Sequence, residues 1–132
     1  MSEQATTTTL TEDECWEVLD AGSVGRLATA VGGDPEIFPV SFGTAARTLY
    51  FLTKPGTKLV EMVVNNRVAF ETDAWDDATA TSVVVKGVAE IIESDADVAD
   101  AESSGVVPFV QDGKNVWVRI TPTHVTGRRL TR

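Results

Sequence analysis

The 132-residue chain sets 11 Lys and Arg against 20 Asp and Glu, a formal charge of −9 at pH 7. A polyanionic backbone would be repelled by that balance, so the expectation is no nucleic-acid partner. Apolar residues at 42% suffice for one buried core, and no apolar run approaches the ~18 residues of a membrane span, so no membrane partner is expected.

Residues 1–9 (MSEQATTTT) are polar and without periodicity, with neither the basic start nor the apolar stretch of a secretory signal. They are expected to form a disordered tail ahead of one domain over residues 10–132. Thr11-Glu12-Asp13-Glu14 fits a capping box, and Cys15, Val18 and Leu19 then fall on one face of a helix that Gly22 ends. Cys15 reads as a small core residue. As the single cysteine it permits no internal disulfide, which suits a cytoplasmic protein. One His and one Cys cannot build an ordinary zinc site, and no metal is expected.

From Val24 the pattern turns extended. VGRLATAV, a Gly32-Gly33-Asp34-Pro35 turn and EIFPVSF read as a hairpin, with Pro39 marking an edge or a bulge because it cannot donate to a ladder. The next strand is Thr48–Thr53. Lys54-Pro55-Gly56-Thr57 then opens a short helix with Leu59, Met62 and Val63 on one face. Strands follow at Arg67–Asp73 and Thr81–Ile92, the latter broken in character at Gly87, where a bulge or a close backbone approach is expected. Ser94 caps an acidic helix to about Ser104. A loop at Gly105–Asp112 leads to the last strands, Asn115–Ile120 and His124–Arg129. About seven strands joined by hairpins, with two or three short helices, predict a mainly β fold: a small antiparallel barrel with helices over its openings.

No G-x-G-x-x-G or Walker loop is present, His124 has no Ser or Asp partners in pattern, and no carboxylates fall into a recognisable pair. What remains is the cluster Thr53, Lys54, Gly56, Thr57 and Lys58. It reads in two ways: a Pro-Gly turn with Thr57 capping a helix and Lys58 in water, or a phosphate site made of two hydroxyls, an ammonium and helix N-terminal amides.

Five stretches carry a wider resemblance: VGRLA (24–28), IFPVSF (37–42), LYFLTKPGTKLVEMVVNNRVAFETD (49–73), SVVVKGVAEII (82–92) and VWVRITPTHVTGRRL (116–130). In this order and spacing the chain resembles the pyridoxamine 5′-phosphate oxidase-like family of flavin-binding split β-barrels, and specifically its short actinobacterial-type members. The resemblance implies an FMN-binding barrel that forms a homodimer with the flavin between subunits. Phe38, Pro39, Val40 and Ser41 would line the isoalloxazine, and Thr53, Gly56, Thr57 and Lys58 would grip the phosphate through the T-x-x-G-[ST]-[KR] pattern. Trp117 and Arg128 match its C-terminal aromatic and basic flavin contacts. Ser82 stands where the oxidase has a flavin-contacting glutamine from the neighbouring subunit. The extra basic residues that bind the substrate's own phosphate are missing from the terminal GRRLTR, so oxidation of pyridoxamine phosphate is not expected. The resemblance implies an FMN-dependent oxidoreductase of unassigned small-molecule substrate. The alternatives are an F420-binding reductase or a non-catalytic flavin-binding or sensing protein.

Overall fold

The computed structural model describes residues 6–106 and 115–132. Its elements are β1 (Thr6–Thr9), α1 (Glu12–Ala21), β2 (Val24–Val31), β3 (Asp34–Ala45), β4 (Thr48–Thr53), α2 (Thr57–Val64), β5 (Arg67–Trp75), β6 (Thr79–Ile92), α3 (Asp95–Ser103) and β7 (Val116–Thr131). The strands form one 7-stranded sheet in the order β1-β7-β4-β3-β2-β5-β6, and pairing of β6 with β7 closes it into a ring. Every pairing is antiparallel. The fold is a split β-barrel: the hairpins predicted an antiparallel barrel, and the resemblance implied the split type.

Local chemistry explains most boundaries. The Thr11 hydroxyl accepts from the Glu14 N–H at 3.2 Å while the Glu14 carboxylate accepts from the Thr11 N–H at 3.0 Å, so the capping box starts α1. Ser94 caps α3 in the same way, accepting from the Asp97 N–H at 3.1 Å. The β2–β3 turn is shorter than expected: only Gly32 and Gly33 turn, with φ of 58° and 80°, and Asp34 already pairs with Val31. Two successive positive φ values match the twist of a hairpin and suit glycine.

Three expectations are corrected. Thr6–Thr9, placed in the tail, pair with Arg128–Thr131 as β1; residues 1–5 lie outside the described residues. The two last strands are one strand, β7, which continues through Pro122. Val63 faces solvent at 69% exposure, so α2 buries Met62 and packs Leu59 but presents Val60, Val63 and Val64 outward. The expected loop at Gly105–Asp112 lies outside the described residues beyond 106.

The barrel lumen is filled by alternate residues of every strand of the ring, among them Leu27, Phe51, Phe70, Val83, Val85 and Ile120. Cys15, Trp16 and Leu19 of α1 are buried with them, and Met62 of α2 joins the same core. Phe42 and Phe70 meet edge to face at 4.7 Å between centroids. A smaller cluster of Tyr50, Ile92, Ala101 and Trp117 ties α3 to the outside of the barrel. Among the described residues no helix is long and apolar enough to cross a membrane.

The bulge expected at Gly87 is present: Lys86 pairs with His124 and Gly87 with Pro122, leaving Thr123 unpaired. A Cβ at Gly87 would sit 2.5 Å from the Thr121 carbonyl oxygen, so the strands approach too closely for any side chain. Gly87→Ala should therefore lower unfolding free energy by about 1–3 kcal/mol, as overpacking against rigid backbone does. Urea denaturation followed by circular dichroism measures it, and an unchanged midpoint would mean that the bulge yields freely.

Candidate functional site

The functional corner begins where β4 ends. Thr53 closes β4 pointing into the barrel, with its hydroxyl donating to the Lys54 carbonyl at 3.3 Å. The chain then turns through Lys54, Pro55 and Gly56 into α2. Gly56, not Thr57, occupies the N-cap, and no side chain accepts from the first-turn amides. The expectation that Thr57 caps the helix is thus replaced by an uncapped start, with Thr57 as the first helical residue. The first turn of α2 also lacks acidic residues, whereas α1 and α3 have both caps and acids there. Its amides point outward with the positive end of the helix dipole, the geometry that suits an anion. Gly56 is extended, and nothing lies within 4 Å of where its Cβ would be, so its surroundings leave room for a ligand.

Lys58 joins this corner to β3. Its ammonium lies 5.4 Å from the centroid of the Phe38 ring. The ring attracts the charge without accepting a hydrogen bond from it, so the N–H donors remain available. Lys58 makes no ion pair among the described residues. Partial burial pushes its ammonium below the ordinary lysine range, because desolvation disfavours the charged form. A negative group arriving at this spot would offset that desolvation and favour the charged form.

Strand β3 supplies the other half. Asp34–Ser41 pair with β2 on one edge, while pairing with β4 begins only at Phe42. Among the described residues no strand covers the second edge of Phe38–Ser41. That is the edge position expected from Pro39. Cross-strand partners fix the faces: Phe38 and Val40 turn inward opposite Leu27 and Gly25, whereas Pro39 and Ser41 turn outward opposite Arg26 and Val24. Arg26 was not singled out from sequence. It stands beside Pro39 on the outer face and donates to Glu71 at 2.7 Å, with Asp73 at 3.6 Å. An alternating strand with an arginine opposite a proline is the signal that could have marked it.

The remaining candidates lie elsewhere. Trp117 sits opposite Leu52 on the face away from Thr53 and packs with Tyr50 and Ile92 under α3, a structural setting. Arg128 is exposed on β7 and pairs directly with Ser82. Within one chain, then, Lys58 and Phe38 come together, Arg128 and Ser82 form a separate pair, and Trp117 belongs to neither.

The geometry defines a split barrel with an open strand edge beside an uncapped, cationic helix start. The profile of the pyridoxamine 5′-phosphate oxidase family matches residues 11–129, and the chain belongs to that family. The FAD-binding protein of Mycobacterium smegmatis is 40% identical, with a TM-score of 0.84 over 95% of this chain and 99% of that one. An FAD-binding protein of Mesorhizobium loti is 29% identical, with a TM-score of 0.84 over 98% of this chain and 100% of that one. The uncharacterized protein Rv3129 of Mycobacterium tuberculosis is 39% identical over 84 residues, 64% of this chain and 76% of that protein.

Lys58 should titrate below the ordinary lysine range in the ligand-free protein and move upward when an anion occupies the corner. Carbon NMR of its labelled Cε tests both halves, and a midpoint at or above the free-lysine value would contradict the partly desolvated setting.

Proposed function

We propose that the chain binds a flavin nucleotide, with the ribityl phosphate at the corner of Gly56, Thr57 and Lys58 and the ring along Phe38–Ser41. One observation carries the reading: the Lys58 ammonium bridges the uncapped start of α2 and the aromatic ring of the open-edged strand. A phosphate needs the first and a flavin ring lies well on the second. FMN and FAD share this phosphate, and the two relatives described as FAD-binding support FAD alongside the FMN expected from sequence. F420 carries an acidic tail as well, for which a chain of charge −9 is less suited.

A bound flavin supplies redox chemistry at its own ring, so the protein need only bind, orient and shield it. Thr57, Lys58 and the amides of α2 hold the phosphate. The unpaired edge of Phe38–Ser41 offers backbone groups to the ring's polar rim. These roles require no acid–base pair in the protein, which accords with an oxidoreductase whose only histidine lies on another face. On this reading the substrate is a small molecule and not pyridoxamine phosphate.

The active form is proposed to be a homodimer. Ile37, Val24, Val84 and Trp75 on the outer sheet face, and Val60, Val63 and Val64 on α2, leave large apolar side chains exposed. Such a surface on a small protein calls for a partner. A second subunit would bring its Ser82–Arg128 pair to a flavin that one chain leaves half covered.

Lys58→Ala should weaken FMN roughly 10- to 100-fold while leaving riboflavin nearly unchanged, since a charged hydrogen bond is worth roughly 1.5–3 kcal/mol and only FMN presents the dianion. Fluorescence titration of the apoprotein with FMN, FAD, riboflavin and F420 measures this, and equal losses for FMN and riboflavin would refute the phosphate assignment. Val84→Glu on the outer face should yield monomers by analytical ultracentrifugation and at least tenfold weaker flavin binding. Monomers with full affinity would remove the shared site.

A further inference from the structure

A second cationic cavity lies on the outer face of the barrel and shares no lining residue with the Lys58 corner. Its volume is about 600 Å³, within the range of small-molecule sites. Its floor is flat and apolar: Ala28 and Ala30 on β2, Ala69 on β5 and Val88 on β6 offer small side chains from adjacent strands. With strands spaced at about 4.8 Å, β2 to β6 spans about 10 Å, the width of a fused two-ring system.

The rim is cationic. Arg67, Lys86 and His124 line the cavity, and no Asp or Glu does. This is unexpected in a chain with 20 acidic residues. Four other arginines, Arg26, Arg47, Arg119 and Arg129, each have a carboxylate partner. Neither Arg67 nor Lys86 has one among the described residues. The irregularity at Gly87 leaves His124 as the cross-strand partner of Lys86, and the His124 ring nitrogen Nδ1 lies 3.3 Å from the Thr123 hydroxyl. Thr123, the residue the bulge leaves over, donates its hydroxyl to the Lys86 carbonyl at 3.1 Å and pins that arrangement. Bulges commonly re-aim side chains toward a site.

We infer that this cavity binds a planar aromatic carboxylate, its rings on the alanine floor and its carboxylate held by Arg67 and Lys86 with His124 beside them. Arg67 offers a forked pair of donors and Lys86 a point charge, a combination that favours a carboxylate over a neutral oxygen. The site shares no residue with the Lys58 corner, since its lining stands on β2, β3, β5, β6 and β7 and not on α2, and it borders Ile37 and Val84 of the face proposed above for subunit contact.

Isothermal titration calorimetry of the full chain as purified tests the inference, with 2-naphthoate as probe and 2-naphthalenemethanol as its uncharged counterpart. The acid should bind at least tenfold more tightly than the alcohol. Arg67→Gln and Lys86→Gln should each weaken the acid about tenfold and leave the alcohol and FMN within twofold. Ala69→Leu, which fills the floor from the solvent side, should abolish binding of both probes without unfolding the protein. Equal affinities for acid and alcohol, or no heat from the acid, would overturn the inference. Displacement of 2-naphthoate by FMN would overturn it too, by making the cavity part of the flavin site. So would Arg67→Gln or Lys86→Gln altering only the oligomeric state, since the face would then serve subunit contact.

Discussion

The structure turns on a change of partner halfway along β3. Up to Ser41 the strand has β2 on one edge and no strand of the described residues on the other; from Phe42 it also pairs with β4. A barrel that closed fully there would have no free backbone to offer. Unpaired strand edges are ordinarily a liability, and proteins cover them or break their regularity. Here Pro39 removes one donor, and the Lys58 ammonium lies over the Phe38 ring beside that edge. The ring survives the gap because β6 and β7 pair over nearly the whole of β6, from Thr79 to Ile92. One long ladder therefore sustains closure while a short interruption opens the site.

Charge is distributed with the same asymmetry. Most arginines are tied to acids across the sheet or between elements, as Arg119 is to Glu90 and Asp97, and Arg47 to Asp13. Exposed pairs of this kind contribute little to stability. They do neutralise cations that would otherwise attract anions at random. Lys58, Arg67, Lys86 and Arg128 stand outside this pairing among the described residues, and all four lie at the open corner or on the outer sheet face. In an acidic chain an unpaired cation has many available partners, so its isolation carries information. For Lys58 it coincides with desolvation, which readies the ammonium to gain from an incoming dianion more than a solvated lysine would.

Local features were legible in the sequence because their causes are local. The Thr11–Glu14 box, the Ser94 cap, the edge at Pro39 and the bulge at Gly87 each follow from one residue type in a short context. Two errors arose where distant partners decide. Thr6–Thr9 have no pattern of their own and become a strand because β7 supplies a free edge. The break expected at Pro122 vanishes because the bulge opposite Gly87 absorbs it. At the corner the residue types were readable, but not that Gly56 would take the cap and leave the amides bare. Arg67, Lys86 and His124 are 57 positions apart at most in sequence, and only the β5–β6–β7 register brings them together.

The proposed corner and the proposed outer cavity differ in how far a sequence pattern can express them. The corner is built from contiguous residues, so a motif describes it. The cavity is built from residues of β2, β3, β5, β6 and β7, far apart in sequence, so no short motif describes it. The alanines and cations of that face together favour flat anions.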